Sequence, residues 1–174
     1  MRDARSVLKA TWGFDAFRPA QGSVVNAVME GRDTLALLPT GGGKSLCFQV
    51  PALAMGRLCL VISPLIALMK DEVDRLKARG VRAQALTSAM EPYEVDNALE
   101  AAAYGKLDFL YISPERIATE LFQARVGRLP LAPSARPSCS RTNCQRHWMW
   151  PASVPFSLVQ TFSANSARCS LPVG

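Results

Sequence analysis

Between residues 20 and 122, short apolar runs alternate with longer stretches whose apolar residues recur every three or four positions. The runs at 34–38, 58–62, 81–86 and 107–112 predict strands, because a strand covered on both faces needs no polar alternation. Helical spacing places Val24, Val25, Val28 and Met29 on one face of 20–30. It also predicts a helix over 44–55, which Pro51 should end or kink. Leu65, Leu68, Met69, Val73 and Leu76 mark a helix over 65–79, stopped by Gly80. Val95, Leu99 and Ala102 form the inner stripe of the next, with Ser88 and Glu91 as its capping box. A further helix is predicted over 114–122. Continuous apolar strands joined by amphipathic helices imply a doubly wound α/β domain around a parallel sheet. In such a sheet, ligands sit beyond the carboxyl ends of the strands.

Two strand exits look alike: Val61-Ile62-Ser63-Pro64 and Tyr111-Ile112-Ser113-Pro114. In each, the serine is placed to cap the next helix and the proline suits its first turn. One reading is two ordinary capped helices. The other is a pair of helix N-termini offering amides and hydroxyls to phosphates on one face.

Composition adds a division. The chain has 174 residues, is 49% hydrophobic and 20% charged, and carries a net charge of +6. These values exclude a disordered or collagen-like chain. Residues 1–130 hold 16 Lys and Arg against 14 Asp and Glu, whereas 131–174 hold four arginines and no lysine or acid. The second stretch also has five prolines, eight serines and no legible period. It is expected to be a low-order tail, either an out-of-frame ending or a natural low-complexity extension. The basic balance is therefore a poor guide to nucleic acid. No apolar run reaches the ~18 residues of a membrane helix, and 1–20 lack a signal-peptide core. A cytoplasmic protein is expected. The five cysteines fit that, since Cys47 and Cys59 sit in apolar segments as small hydrophobes.

The candidate chemistry centres on Pro39-Thr40-Gly41-Gly42-Gly43-Lys44-Ser45, between a predicted strand and a predicted helix. Phosphate oxygens need several converging amides with no side chain in the way, which the glycines permit. The helix N-terminus favours an anion. Lys44 brings a cation to the terminal phosphates, and the Ser45 hydroxyl suits Mg²⁺. Leu38 stands where the strict motif has glycine. Gln21 lies 23 residues before Lys44, and an amide that both donates and accepts can read the adenine edge. Phe14 is either a core aromatic or a stacking partner for the base. Arg18 is placed to pack against the base or a phosphate.

With these motifs in order, residues 8–130 resemble the first motor domain of a RecQ-type DNA helicase, in the DExH group of superfamily 2. The resemblance rests on Trp12-Gly13-Phe14, Phe17-Arg18-Pro19 and Gln21, on Gly31-Arg32-Asp33, and on the glycine loop followed by Leu46-Cys47-Phe48-Gln49. It continues through Val61 to Asp71 and Tyr111-Ile112-Ser113-Pro114-Glu115-Arg116. It implies a RecA-like P-loop domain using ATP and Mg²⁺. Gln21 would recognise adenine beside Phe14 and Arg18. Thr40, Gly41, Gly42, Gly43 and Lys44 would hold the triphosphate, and Ser45 the metal. Ser63, Pro64, Ser113 and Arg116 would touch the backbone of single-stranded or forked DNA. The family hydrolyses ATP and unwinds DNA in repair and recombination.

The family's Asp-Glu-Ala-His box has no counterpart, since no carboxylate side chain follows Glu120. One of those acids helps hold Mg²⁺ and the next positions the attacking water. Asp108 precedes its strand and should lie at the wrong end of the sheet. The expectation is therefore ATP binding without unwinding by this chain alone. The alternatives are a nucleotide- and DNA-binding remnant, or a nonfunctional product of a disrupted reading frame. Cys139, Cys144, His147 and Cys169 match no usual zinc spacing. The charges of 70–79 read as a solvated face, and Arg75, Lys77, Arg79 and Arg82 as a candidate DNA-facing edge.

Overall fold

The computed structural model describes residues 1–39 and 41–131, and the backbone of 160–161. The division at 130, the tail and the Cys139–Cys144–His147–Cys169 group concern residues that lie, 131 and 160–161 aside, outside those described. The elements run α1 (Ala4–Trp12), α2 (Pro19–Met29), β1 (Thr34–Leu35), α3 (Leu46–Met55), β2 (Cys59–Ile62) and α4 (Ile66–Lys77). They continue with β3 (Ala83–Leu86), α5 (Pro92–Ala103), β4 (Phe109–Ile112), α6 (Pro114–Ile117), α7 (Glu120–Val126) and β5 (Gln160–Thr161).

Three strands form a parallel sheet in the order β2-β4-β3, with Ile62, Ile112 and Leu86 in register. Central β4 is buried throughout, and its alternation splits the interior in two. Phe109 and Tyr111 pack with Val7, Leu8, Phe48, Met69 and Val73 from α1, α3 and α4. Leu110 and Ile112 pack with Val95, Leu99, Ile117 and Phe122 from α5, α6 and α7. Helices therefore cover both faces, as the continuous apolar runs require. Leu58 forms a further parallel bridge to Leu131.

Four local expectations change. The run at 34–38 is not a buried strand. Only Thr34–Leu35 is extended, it pairs antiparallel with β5, and Leu35 and Leu37 are 63% and 76% exposed. The larger sheet runs β2-β4-β3, and β1 pairs with none of its strands. Helix α3 does not end at Pro51 but continues to Met55. Helix α5 starts three residues later than the Ser88 box implied, because Pro92 takes its first turn and Glu94 caps back onto the Glu91 N–H at 2.9 Å. The 114–122 helix is two, because Thr119 caps α7 by accepting from the Phe122 N–H.

Helix α1 had no periodic signal. Asp3 starts it by accepting from Ser6 N–H at 2.8 Å, and this contact holds the Asp3 carboxyl below its ordinary pKa. Only Val7 and Leu8 are buried. Arg2 straps the chain start to the end of α3, its backbone N–H reaching Ala54 O at 2.8 Å and its guanidinium Leu53 O at 2.7 Å.

Candidate nucleotide loop and strand-exit edge

The glycine loop is a compact turn at the start of α3. Gly42 N–H donates to Pro39 O at 3.0 Å, and Leu46 and Cys47 N–H groups bond Gly43 and Lys44 carbonyls at 3.1 Å. The N–H groups of Gly43, Lys44 and Ser45 find no backbone acceptor among the described residues. They open the N-terminus of a ten-residue helix, where free amides favour an anion. Lys44 forms no ion pair among the described residues, and the Ser45 side chain makes no cap bond. The loop thus fits phosphates, and an uncommitted hydroxyl at Ser45 fits a hard cation. Thr40 lies outside the described residues.

Two positions explain the glycines. Gly43 has φ +71°, and a Cβ there would lie 2.2 Å from Gln21 Nε2. A Cβ at Gly42 would lie 2.8 Å from Pro39 O. Both distances are too short for a side chain on a backbone wound this tightly.

Gln21 and Arg18 do meet the loop, but through its carbonyls. Gln21 is 3% exposed, and Nε2 donates to Gly42 O at 2.9 Å and Gly43 O at 3.3 Å. Its Oε1 accepts from Arg18 N–H at 3.0 Å. Arg18 Nη1 donates to Gly41 O at 2.8 Å. Both ends of the Gln21 amide are therefore occupied by the protein itself. Phe14 is 53% exposed, while Phe17 packs against the core.

The second group lies at the carboxyl edge of the sheet. Register sets Ser63, Thr87 and Ser113 side by side, and Ser63 and Ser113 N–H groups bond Ile112 O and Leu86 O. The serines do not cap as expected. Helix α4 takes Leu65 as its N-cap, and Ser63 Oγ accepts from Leu65 N–H at 3.4 Å. Ser113 is the N-cap of α6 but makes no side-chain cap bond, and its buried Oγ has no partner among the described residues. Thr87, buried at this edge, drew no notice in the sequence because no Ser-Pro pair marks the β3 exit.

Arg116, expected beside DNA, is engaged by the protein's own carbonyls. Its Nε donates to Thr87 O at 2.9 Å, and Nη2 to Ser88 O at 3.1 Å and to Met90 O. A planar fork suits this convergence of carbonyls, so Arg116 staples the 87–90 turn. The 75–82 edge does not join the site either. Arg75 pairs with Glu72, Arg79 caps the Arg75 carbonyl, and Arg82 grips Asp108 at 2.6 Å and Gly105 O at 3.0 Å. Arg82 and Asp108 precede β3 and β4, so they stand at the opposite end of the sheet from Ser63 and Ser113. Burial raises the Asp108 pKa, but the Arg82 side chain and backbone N–H outweigh it and hold the carboxyl below its ordinary value. Burial pushes the Cys59 thiol up to about 12 and raises that of Cys47, so both stay protonated, Cys47 buried and Cys59 packed half-buried against the core. No group of His, Cys, Asp and Glu among the described residues is arranged to hold a metal. No helix among them is long and apolar enough to cross a membrane.

Residues 18–132 match the DEAD/DEAH box helicase family. The chain is 46% identical over 119 residues to the ATP-dependent DNA helicase RecQ of Haemophilus influenzae, covering 68% of this chain and 19% of that protein. It is 47% identical over 122 residues to the RecQ of Pasteurella multocida, with the same coverage. It is 38% identical over 133 residues to the probable ATP-dependent DNA helicase RecS of Bacillus subtilis, covering 76% and 26%. The chain thus spans about a fifth to a quarter of the length of these three relatives. Among solved structures, a hypothetical ATP-dependent RNA helicase from Sulfolobus tokodaii aligns with TM-score 0.55 at 19% identity, over 74% of this chain and 38% of that one. The DUF1998 helicase MrfA bound to DNA aligns with TM-score 0.59 at 18% identity, over 74% and 20%. These two likenesses establish the shared α/β fold.

Proposed function

The chain belongs to the DEAD/DEAH box helicases, and on that footing we propose that it is the ATP-binding part of a RecQ-type DNA helicase, binding nucleotide without unwinding DNA by itself. The observation that carries this is the loop at 41–45, where, among the described residues, three N–H groups have no backbone acceptor and Lys44 has no ion-pair partner at the start of a helix. Gly41, Gly42, Gly43 and Lys44 hold the triphosphate, and Ser45 supplies an oxygen to Mg²⁺. When bound, that metal neutralises phosphate charge. Gln21 reads adenine only after its amide leaves the Gly42 and Gly43 carbonyls, so nucleotide entry exchanges an internal contact for an external one. Phe14, with its ring open to solvent, then stacks on the base, and Arg18 is freed by the same loop movement.

Single-stranded DNA lies along the carboxyl edge, on Ser63, Pro64 and the Ser113 turn, where the Ser113 hydroxyl, buried and without a hydrogen bond among the described residues, must be uncovered to reach it. Arg116 serves there by shaping the turn. Residues 121–174 contain no Asp or Glu, so they supply neither of the carboxylates that would hold the metal and position water. Residues 1–130 form the working domain, in the cytoplasm.

The test is titration of a fluorescent ATP analogue with Mg²⁺ into the 174-residue chain and its Lys44→Ala variant. Binding lost at least tenfold in the variant is expected, since about 1.4 kcal/mol suffices for that. Equal binding by both rejects the reading. A strand-displacement assay is expected to show no ATP-dependent unwinding. The composition change at 131 favours one rival, a product of a disrupted frame. A single cooperative melting transition argues against it.

A further inference from the structure

We infer that Gln49 is a positioning residue joining the nucleotide loop to both Ser-Pro exits, so that ATP and single-stranded DNA alter each other's binding through its side-chain amide. This rests on the reading of the loop and the exit edge given above. Gln49 lies on α3 four residues after Ser45, and its N–H bonds Ser45 O at 2.9 Å. Its side chain is buried, at 3% exposure. Nε2 donates to Glu72 Oε2 at 3.0 Å and to Tyr111 Oη at 3.2 Å. Glu72 is on α4, the helix entered from Ser63 and Pro64. Tyr111 is on β4, two residues before Ser113. One amide therefore ties the helix leaving the glycine loop to the helix after one exit and the strand before the other. Among the described residues, no other side-chain hydrogen bond joins α3 to α4 or β4.

Packing alone does not call for this residue. Its neighbours Phe48, Val50, Ala52 and Leu53 are apolar, and a methionine of similar size would fill the space without needing partners. The amide instead imposes a geometric condition. Hydrogen bonds weaken steeply with a few tenths of an ångström of stretch or with misalignment. A displacement of α3 as phosphates settle on its first turn must carry α4 and β4 along or break both bonds. Burial raises the Tyr111 pKa, so its hydroxyl stays neutral through the working range. Any such link acts equally in both directions.

The experiment uses the 174-residue chain, a fluorescent ATP analogue with Mg²⁺, and a single-stranded oligothymidylate. Each Kd is measured alone and at saturation with the other ligand. In the wild type, each ligand is expected to change the other's affinity by the same factor, about fivefold or more. Gln49→Met is expected to bind each ligand alone within about twofold of wild type, with that factor reduced to about one. Tyr111→Phe removes one acceptor while keeping the ring packed, and is expected to lower the factor part-way. A wild-type factor in Gln49→Met overturns the inference. So does a wild type that binds both ligands independently, and that result leaves the reading of the loop intact. Failure of the wild type to bind the analogue, or equal binding by Lys44→Ala, removes the reading and the inference with it. Should Gln49→Met fail to melt cooperatively, Tyr111→Phe decides, and an unchanged factor there overturns the proposal.

Discussion

Strands β4 and β1 begin from equally apolar sequence and end in opposite surroundings. All four residues of β4 are buried between β2 and β3, with a helical layer on each face. In the β1 run, Leu35 and Leu37 face solvent, and the only strand partner described is β5. The contrast shows that an apolar run enters the interior only where neighbours pair its backbone and cover both its faces. It also divides the molecule by function. The sheet is the fixed frame carrying the exit edge, and the segment from β1 to Ser45 is held to that frame by α2 and α3.

The largest expected effect tests the frame directly. Phe109→Ala is expected to lose about 3–5 kcal/mol in urea unfolding, as a fully buried aromatic does. Leu37→Ala is expected to stay within about 0.5 kcal/mol, since its side chain is mostly in water. Equal losses would break the comparison. Arg116→Ala comes next, with about 1.5–3 kcal/mol expected, because it strips a charged donor from the carbonyls of Thr87, Ser88 and Met90. Arg116→Lys is not expected to recover this, as an ammonium cannot reproduce the fork. Weakened DNA binding with unchanged stability would instead make Arg116 a direct phosphate ligand.

Gly43→Ala sharpens the comparison on the loop side. It combines a left-handed φ with the approach of Gln21, whereas Gly105 has φ +70° and open space around it. Gly105→Ala is therefore expected to cost about 1 kcal/mol of backbone strain. Gly43→Ala is expected to cost more and to lower affinity for the ATP analogue, which Gly105→Ala leaves unchanged. The smallest effect belongs to the amino edge of the sheet. The folded-state pKa of Asp108 is depressed, so its ion pair contributes fully above the ordinary 3.8 and is lost as the pH falls through the lower folded-state value. Asp108→Asn is expected to flatten the acid limb of the melting profile by less than about 1 kcal/mol, because Arg82 is half exposed to solvent.

The doubly wound arrangement was legible because Phe109, Leu110, Tyr111 and Ile112 must satisfy two faces at once, and an unbroken apolar run says so. The loop was legible because Gly42 and Gly43 sit where a backbone closes on itself. Helix α1 was not, since it buries only Val7 and Leu8 and starts from a side-chain contact at Asp3. The bonds Arg116 makes within the protein were not legible, because a cation at a helix start looks alike whether it faces phosphate or carbonyl oxygen. Only the fold shows that the 87–90 turn lies against it. The occupied amide of Gln21 was equally hidden, since residue type states what a group can bond and not what it bonds at rest.

The Arg2 strap and helix α1 bear on where this domain starts. The family match opens at residue 18, yet Val7 and Leu8 are interior and the first residues grip the last turn of α3. A recombinant product trimmed to the homology limit would bare the flank of the helix that follows Ser45. An affinity tag added ahead of Met1, 90% exposed, would leave that flank covered. Interior residues thus precede the first residue of the family match, and cloning boundaries should include them.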